Sequence, residues 1–466
     1  MLACTLVFGL APSGADAQSI RSPDWARVEA ETLEHFQALL RLDTSNPPGN
    51  ETRAVDYLRG VLEREGIAAE TYALDPARAN LVARIRGSGA ARPLLLMGHT
   101  DVVTVVPERW TYPPFAATRA DGYIYGRGAI DDKDNLVASL MIMLMLKRLE
   151  VPLERDVIFL AESGEEGTTQ VGIEFMVREH WPAIEAEYCL AEGGSVRREG
   201  GEIRYATVST LEKVPRAIVL TATGPSGHAA VPLPGNAIAR LAAALVALER
   251  WDAPLRLNET TQAYFTRVAT LLPENERGPF RDVLSGNPTR VRAAFEYFRE
   301  HRPADAALLR ASISPTIISG GNRINVIPSQ ATLQLDVRML PEDDHDAVLA
   351  SIRRTIDDPQ VAVEFASATH RPVGRTSLDT QAFRALERNV ERHYGVVTIP
   401  SMLTGATDMA YLRARGVHCY GIGPLVDAED ALRGYAAHGD QERIVEAELY
   451  RFLRFYWDVV LDIAAR

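Results

Sequence analysis

Pro93-Leu94-Leu95-Leu96-Met97-Gly98-His99-Thr100-Asp101 reads as a buried strand that runs out into an imidazole and a carboxylate. A short apolar run closed by glycine is the signature of such a strand. The same arrangement recurs along the chain. Tyr123-Ile124-Tyr125 leads into Gly126-Arg127-Gly128-Ala129-Ile130-Asp131-Asp132-Lys133, and Val157-Ile158-Phe159-Leu160 leads to Glu162-Ser163-Gly164-Glu165-Glu166-Gly167. Glu187-Tyr188-Cys189-Leu190 leads to Ala191-Glu192-Gly193-Gly194, and far downstream Ala437-His438-Gly439-Asp440 precedes a helical stretch. Open α/β sheets collect ligands outside the carboxyl ends of their strands. Two imidazoles and several carboxylates gathered there suit zinc or a similar divalent ion. Singly, each piece has a plainer explanation. A lone His is commonly a satisfied loop residue, Glu165-Glu166 would be surface charge, and Asp131-Asp132 would cap the helix that starts near Asp134. Together, five acid or His sites flanked by glycine point to a metal centre.

The chain has 466 residues, 46% of them hydrophobic, enough for two domains with their own cores. A net charge of −12, with basic residues scattered among acids, excludes a phosphate-neutralising stripe and hence nucleic acid as a partner. Met1 to Leu10 is apolar and leads to Ala15-Asp16-Ala17-Gln18, which reads as an export signal cleaved after Ala17, although the usual basic start is missing. The expected location is therefore periplasmic or secreted, with no membrane attachment after processing. The apolar run Leu136 to Leu146 is much shorter than the roughly 20 residues a bilayer requires and reads as a core helix. Cys189 and Cys419 lie in apolar strand-like runs, and a bond between them is left open by the sequence.

Strand and helix signals alternate from Pro23 to Glu212, which predicts an α/β domain with a mostly parallel sheet. A second unit begins near Val214 and reads strand, helix, two strands, helix, strand, as a small α+β sandwich inserted into the first domain. The expected layout is a signal over 1–17, the first domain over 18–213 and 371–466, and the inserted unit over 214–370 with a helical insertion over 251–310. In the returning part, helices are expected over Thr380 to Arg392 and Asp408 to Arg415, joined by a Gly/Thr loop.

These motifs together resemble the dinuclear zinc hydrolases that include aminoacylases, carboxypeptidase S, carnosinases and succinyl-diaminopimelate desuccinylase. The resemblance runs from Asp43 to the last helix. It is nearest to carboxypeptidase S and the N-acyl-amino-acid hydrolases, through Glu192-Gly193-Gly194 and Trp110-Thr111-Tyr112-Pro113-Pro114-Phe115. One departure is Asp134-Asn135 after Lys133, where relatives often carry glycine.

The resemblance implies one zinc held by His99 and Glu192, a second held by Glu166 and His438, and Asp131 bridging the two across a cis Asp131-Asp132 peptide; Co2+ or Mn2+ would be substitutes. Asp101 would take a hydrogen bond from the free ring nitrogen of His99. Glu165 would be the general base that moves a proton from metal-bound water to the leaving amine. His228, in Gly224-Pro225-Ser226-Gly227-His228, resembles a lid histidine that stabilises an oxyanion, in relatives often across a dimer interface. Asn325 and Arg338 match positions that hold the substrate carboxylate, with an ion pair to Asp336 as the plainer role for Arg338. Gly405, in Gly405-Ala406-Thr407-Asp408, matches a loop whose backbone meets the substrate.

The implied reaction is hydrolysis of an amide bond next to a free carboxylate. The substrate would be a short peptide (carboxypeptidase or dipeptidase action) or an N-acyl amino acid, and a homodimer through the lid is compatible with it. Two alternatives are an aminopeptidase with the same metals, which needs a site for a free amine, and a non-catalytic binding protein, which would have lost a ligand or the base.

Overall fold

The structure is a computed structural model and describes residues 22–466. The export signal expected over 1–17 lies outside the described residues. At its centre, Leu94–His99 lies between Val157–Glu162 and Tyr188–Ala191, parallel to both, and His418–Gly421 continues the parallel set beyond Tyr188–Ala191. Ala69–Tyr72 and Asn80–Ile85 flank this core antiparallel on one side. On the other side, Glu202–Glu212 joins His418–Gly421 antiparallel and carries the pair Ser195–Glu199 and Leu425–Asp427. All six residues of Leu94–His99 and of Val157–Glu162 are buried. Near-continuous apolar strands of this kind belong to a sheet covered on both faces.

Helix Lys133–Arg148 covers one of those faces. It is apolar almost all round and buried from Lys133 to Leu146, so it is enclosed rather than amphipathic. Trp25–Leu40 and Glu446–Ala464 pack against it. The buried ammonium of Lys133 donates to the carbonyls of Leu39 and Leu42, at 3.1 and 2.9 Å. The helix ends where Arg148 reaches Glu31 and Glu65.

The smaller unit is a four-stranded antiparallel sheet in the order Ser312–Gly320, Gln330–Met339, Val214–Thr223, Val361–Phe365. Burial alternates along Gln330–Met339, and the buried side meets helices Ala237–Leu248 and His345–Ile356. That is the two-layer α+β arrangement the strand and helix order implies.

Two elements differ from the sequence reading. The stretch between the helices at Gln381–Tyr394 and Met409–Arg413, read as a loop, contains the strand Thr398–Leu403 parallel to Glu202–Glu212. Pro400 hid it, because proline argues against a strand inside a sheet. The helical insertion also does more than decorate the lid. Its core of Phe265, Phe280 and Phe298 packs against Leu211, Ile399 and Met402, so it rests on the catalytic sheet.

Candidate metal centre and active site

The register of the central strands assembles the site. His99 and Glu162 are partners at the ends of parallel strands, and Glu192 follows directly on Tyr188–Ala191. Donor atoms of His99, Asp131 and Glu192 lie within 4.8 Å of one another, and so do those of Asp131, Glu166 and His438. Asp131 belongs to both groups. Its Oδ1 is 3.0 Å from His99 Nε2 and its Oδ2 is 3.1 Å from His438 Nε2. Glu166 Oε1 is 2.9 Å from the same nitrogen of His438. Asp131 thus presents one carboxylate oxygen to each imidazole, and it would serve both groups if each held a cation.

The electrostatics agree. Burial pushes Glu162, Glu165 and Glu192 well above the usual carboxylate range, and neighbouring acids add to it. The Asp131 and Glu166 carboxylates raise His438 to about 10. Burial opposes the charged form of His99, yet Asp101 and Asp131 hold it well above the ordinary histidine value. So many desolvated anions in one place call for positive charge, and the nitrogen and carboxylate donor set suits two divalent ions.

Local backbone features fix the ligands. The Asp131–Asp132 peptide is cis. Asp132 Oδ2 accepts from the His99 main-chain N–H at 3.3 Å. His438 is held at φ 64°, a left-handed conformation uncommon for a residue with a side chain. Gly164 has φ 81°, and a Cβ there would sit 2.5 Å from the Thr168 carbonyl oxygen. Behind Glu192, a Cβ on Gly194 would come within 2.3 Å of the Gly421 carbonyl oxygen, so these two strand ends pass too closely for any side chain.

Asp101 meets the His99 ring through both its main chain and its side chain, the main chain more closely. The His99 Nδ1 bonds the Asp101 main-chain carbonyl at 2.9 Å, and the carboxylate stands 3.6 Å away. That carboxylate is fully buried and also gathers the next loop. It accepts from the N–H groups of Gly164, Glu165 and Glu166 at 3.0, 3.2 and 3.1 Å, and from Asn46 Nδ2 at 2.8 Å. The residue beside one ligand thereby orients the loop carrying another ligand and the expected base.

The residues expected from the lid stand apart from this cluster. His228 is exposed, and its Nδ1 accepts from the Ala230 N–H at 3.1 Å. Asn325 is exposed, its carbonyl bonded to the Ala229 N–H at 3.0 Å. Arg338 Nε donates to Asp336 at 3.0 and 3.1 Å, the plainer of its two roles. Gly405 lies on the catalytic domain with open space around it. Among the described residues, no hydrogen bond or ion pair joins any of these four to the metal-ligand cluster.

Several supporting residues carry no sequence motif. Glu442 is fully buried, receives Arg127 at 2.6 Å and accepts from the Ile130 N–H at 2.9 Å, which holds the approach to Asp131. Glu212 accepts from Thr407 and from Arg413, both at 2.8 Å. Arg371, a lone arginine in a polar connector, reaches Glu165 at 3.7 Å and Asp408 at 3.1 Å.

Residues 95–462 match the model of peptidase family M20/M25/M40. The chain belongs to this family. It is 28% identical over 389 residues to the human N-fatty-acyl-amino acid synthase/hydrolase, which covers 81% of this chain and 75% of that protein. It is 27% identical over 382 residues to the probable carboxypeptidase S-like 2 of Dictyostelium discoideum, covering 79% of this chain and 71% of the relative. The M20 family metallo-carboxypeptidase of Sulfolobus solfataricus shares the fold with a TM-score of 0.69 at 18% identity, covering 92% of this chain and 98% of that one. As an M20 member the chain is a metal-dependent hydrolase of amide bonds, in the group that holds carboxypeptidases, dipeptidases and N-acyl-amino-acid hydrolases.

Proposed function

We propose that this protein hydrolyses N-acyl amino acids whose acyl group is uncharged and aliphatic, using two zinc ions. The observation that carries the choice of substrate is a cavity of about 270 Å3 that opens beside Asp131 and Glu192. Much of its wall is apolar, including Ile422, Pro424, Leu425 and Ile444. A free amine would need an available carboxylate in that space. Asp427 is taken by Arg198 at 2.6 and 2.8 Å, Asp430 is taken by Arg443 at 2.8 Å, and Asp134 is sealed from solvent. Arg197, which also lines the cavity, makes no ion pair among the described residues and would repel an ammonium. Apolar walls whose acids are paired to arginines, buried away from solvent or given to the metal site favour a blocked acyl group over the amino end of a peptide. The same reasoning counts against an aminopeptidase.

His99, Glu192, Asp131, Glu166 and His438 would hold the ions. When bound, such ions polarise a carbonyl and bring the pKa of a coordinated water toward neutrality. Glu165, beside a ligand but outside both ligand groups, would accept the proton from that water and return it to the leaving amine. His228 would face the developing oxyanion and Arg338 with Asn325 the substrate carboxylate. Both roles require these residues to meet the metal site, from this copy's lid or from that of a second copy.

The lid would also pair two copies. Ser312–Gly320 is an edge strand of its sheet, exposed from Ser314 to Gly320, with Ile317 and Ile318 at 55% and 62% exposure. Ile238 and Val246 of helix Ala237–Leu248 are exposed as well. An open edge with apolar side chains suits a second copy paired about a twofold axis. The apolar N-terminal segment supports export, which fractionation of the full-length protein would test.

The deciding experiment compares hydrolysis of N-octanoyl, N-acetyl and free dipeptide substrates of one amino acid by mass spectrometry. Chelator-stripped enzyme is assayed beside enzyme reloaded with zinc. Preference for octanoyl over dipeptide, lost on stripping and restored by zinc, is expected. Preference for the dipeptide would overturn the substrate assignment, and activity unaffected by stripping would overturn the metal.

A further inference from the structure

We propose that Arg371 is a positioning residue: it tethers the Glu165 carboxylate to the Asp408 loop and so keeps it from joining the metal ligands. The inference rests on the role given to Glu165 above and concerns what holds that group where it can act.

Glu165 and Glu166 are neighbours, yet their side chains go separate ways. Glu166 turns to His438 at 2.9 Å and shares that imidazole with Asp131. The Glu165 side chain makes no hydrogen bond among the described residues, and its ion-pair partner is Arg371, 3.7 Å away. A flexible carboxylate one residue from a metal ligand would be drawn to the same cations. A carboxylate drawn onto a cation loses basicity and no longer faces the water whose proton it must accept. An opposing positive charge on the other side of Glu165 counters that pull.

Arg371 is built to supply it. It lies in the connector between lid strand Val361–Phe365 and catalytic helix Gln381–Tyr394. Its side chain is 17% exposed, and its guanidinium carbon is 5.8 Å from the centre of the Tyr411 ring. Nη1 is anchored 3.1 Å from Asp408 Oδ1, which leaves Nη2 toward Glu165. Asp408 is immobile in turn. It is fully buried, and Thr407 before it is bound through its N–H and its hydroxyl to Glu212, at 3.0 and 2.8 Å. Glu212 is locked by Arg413 at 2.8 Å. A planar guanidinium between two acids is a rigid spacer, where an ammonium on a flexible stem is not.

The test uses full-length, zinc-loaded enzyme and the substrate that wild type turns over, with Arg371→Ala, Arg371→Lys, Glu165→Ala and the Glu165→Ala/Arg371→Ala double variant. Removing the tether is expected to lower kcat by about 30- to 100-fold, the scale of a 1 Å misplacement at a reacting group. KM should move less than about twofold, because a group that acts through the base does not bind substrate. Both metals should remain by elemental analysis. Arg371→Lys should fall between wild type and Arg371→Ala, and millimolar guanidinium should restore part of the activity of Arg371→Ala but none to the double variant. In the Glu165→Ala background, adding Arg371→Ala should cost nothing further. A raised KM with kcat preserved would make Arg371 a substrate-binding group and overturn the proposal, as would wild-type kcat in Arg371→Ala. If the alanine variant does not fold, Arg371→Gln keeps a planar donor without charge and is read the same way. A wild type inactive on every amide tested defeats the underlying reading of the site, whereas a defect confined to KM defeats this proposal alone.

Discussion

The two halves of this molecule carry functional residues in opposite states. On the catalytic domain, His99, Asp131, Glu166, Glu192 and His438 converge within two overlapping groups, supported by Asp101, Asp132 and Glu442, which are fully buried. On the lid, His228 and Asn325 face solvent and Arg338 is paired with Asp336. In the catalytic half four of those five groups are wholly or partly buried, and His438 alone is exposed, held by Asp131 and Glu166. Variants in the two halves are therefore expected to fail in different ways, with metal content following the first sheet and substrate handling the second.

The largest effect is expected from Asp131→Ala, which removes the one carboxylate shared by both ligand groups. It should empty both metal positions by elemental analysis and abolish turnover, and a full metal complement would break the bridging assignment. Glu165→Ala comes next. A kcat lower by about 10²- to 10⁴-fold is expected from loss of a general base, with both metals retained. His228→Ala probes the lid half directly. A kcat loss of about 10²-fold, typical of one oxyanion donor, at unchanged metal content and thermal stability would sharpen the contrast. Loss of metal there would erase it. Asp101→Ala releases three main-chain N–H groups of the loop that carries Glu166, and metal affinity should drop by about 10- to 100-fold as for other supporting residues. Ile318→Lys is the mildest. It should shift a dimer toward monomer in light scattering while each monomer keeps its metals.

Much of the candidate site was legible in the chain because its candidate ligands sit next to short apolar runs closed by glycine. His99 and Glu192 each end a strand whose buried run is unmistakable, and Glu165-Glu166 follow another. The supports were not legible. Glu442 and Arg127 lie 315 positions apart yet form one buried pair. Arg371 stands in a connector with no periodicity, and its partners Glu165 and Asp408 come from two other loops. The strand Thr398–Leu403 was not legible because Pro400 argues against a strand locally, whereas in the fold it pairs with Glu202–Glu212 alone and proline is tolerated in a strand paired on one side. Asp101 was placed beside His99 correctly by adjacency, but which of its oxygens met the imidazole depended on how the next loop folded over it.

Cys189 and Cys419 illustrate the same divide. Each reads as a small apolar residue, and only the parallel pairing of their strands puts them directly opposite one another as free, buried thiols. The amino-acid order by itself determined the ligand types, the strands they terminate, the enclosed helix Lys133–Arg148 and the separation into a parallel-sheet domain and an α+β lid. Those features follow from hydrophobic periodicity and backbone chemistry acting over a few residues. The tertiary structure alone decided which carboxylate faces which imidazole, where the cavity beside Asp131 and Glu192 opens, and that Arg371 stands behind Glu165. Burial makes unpaired charge costly, so such pairings are set by whichever distant groups the folded chain brings within a few ångströms of each other.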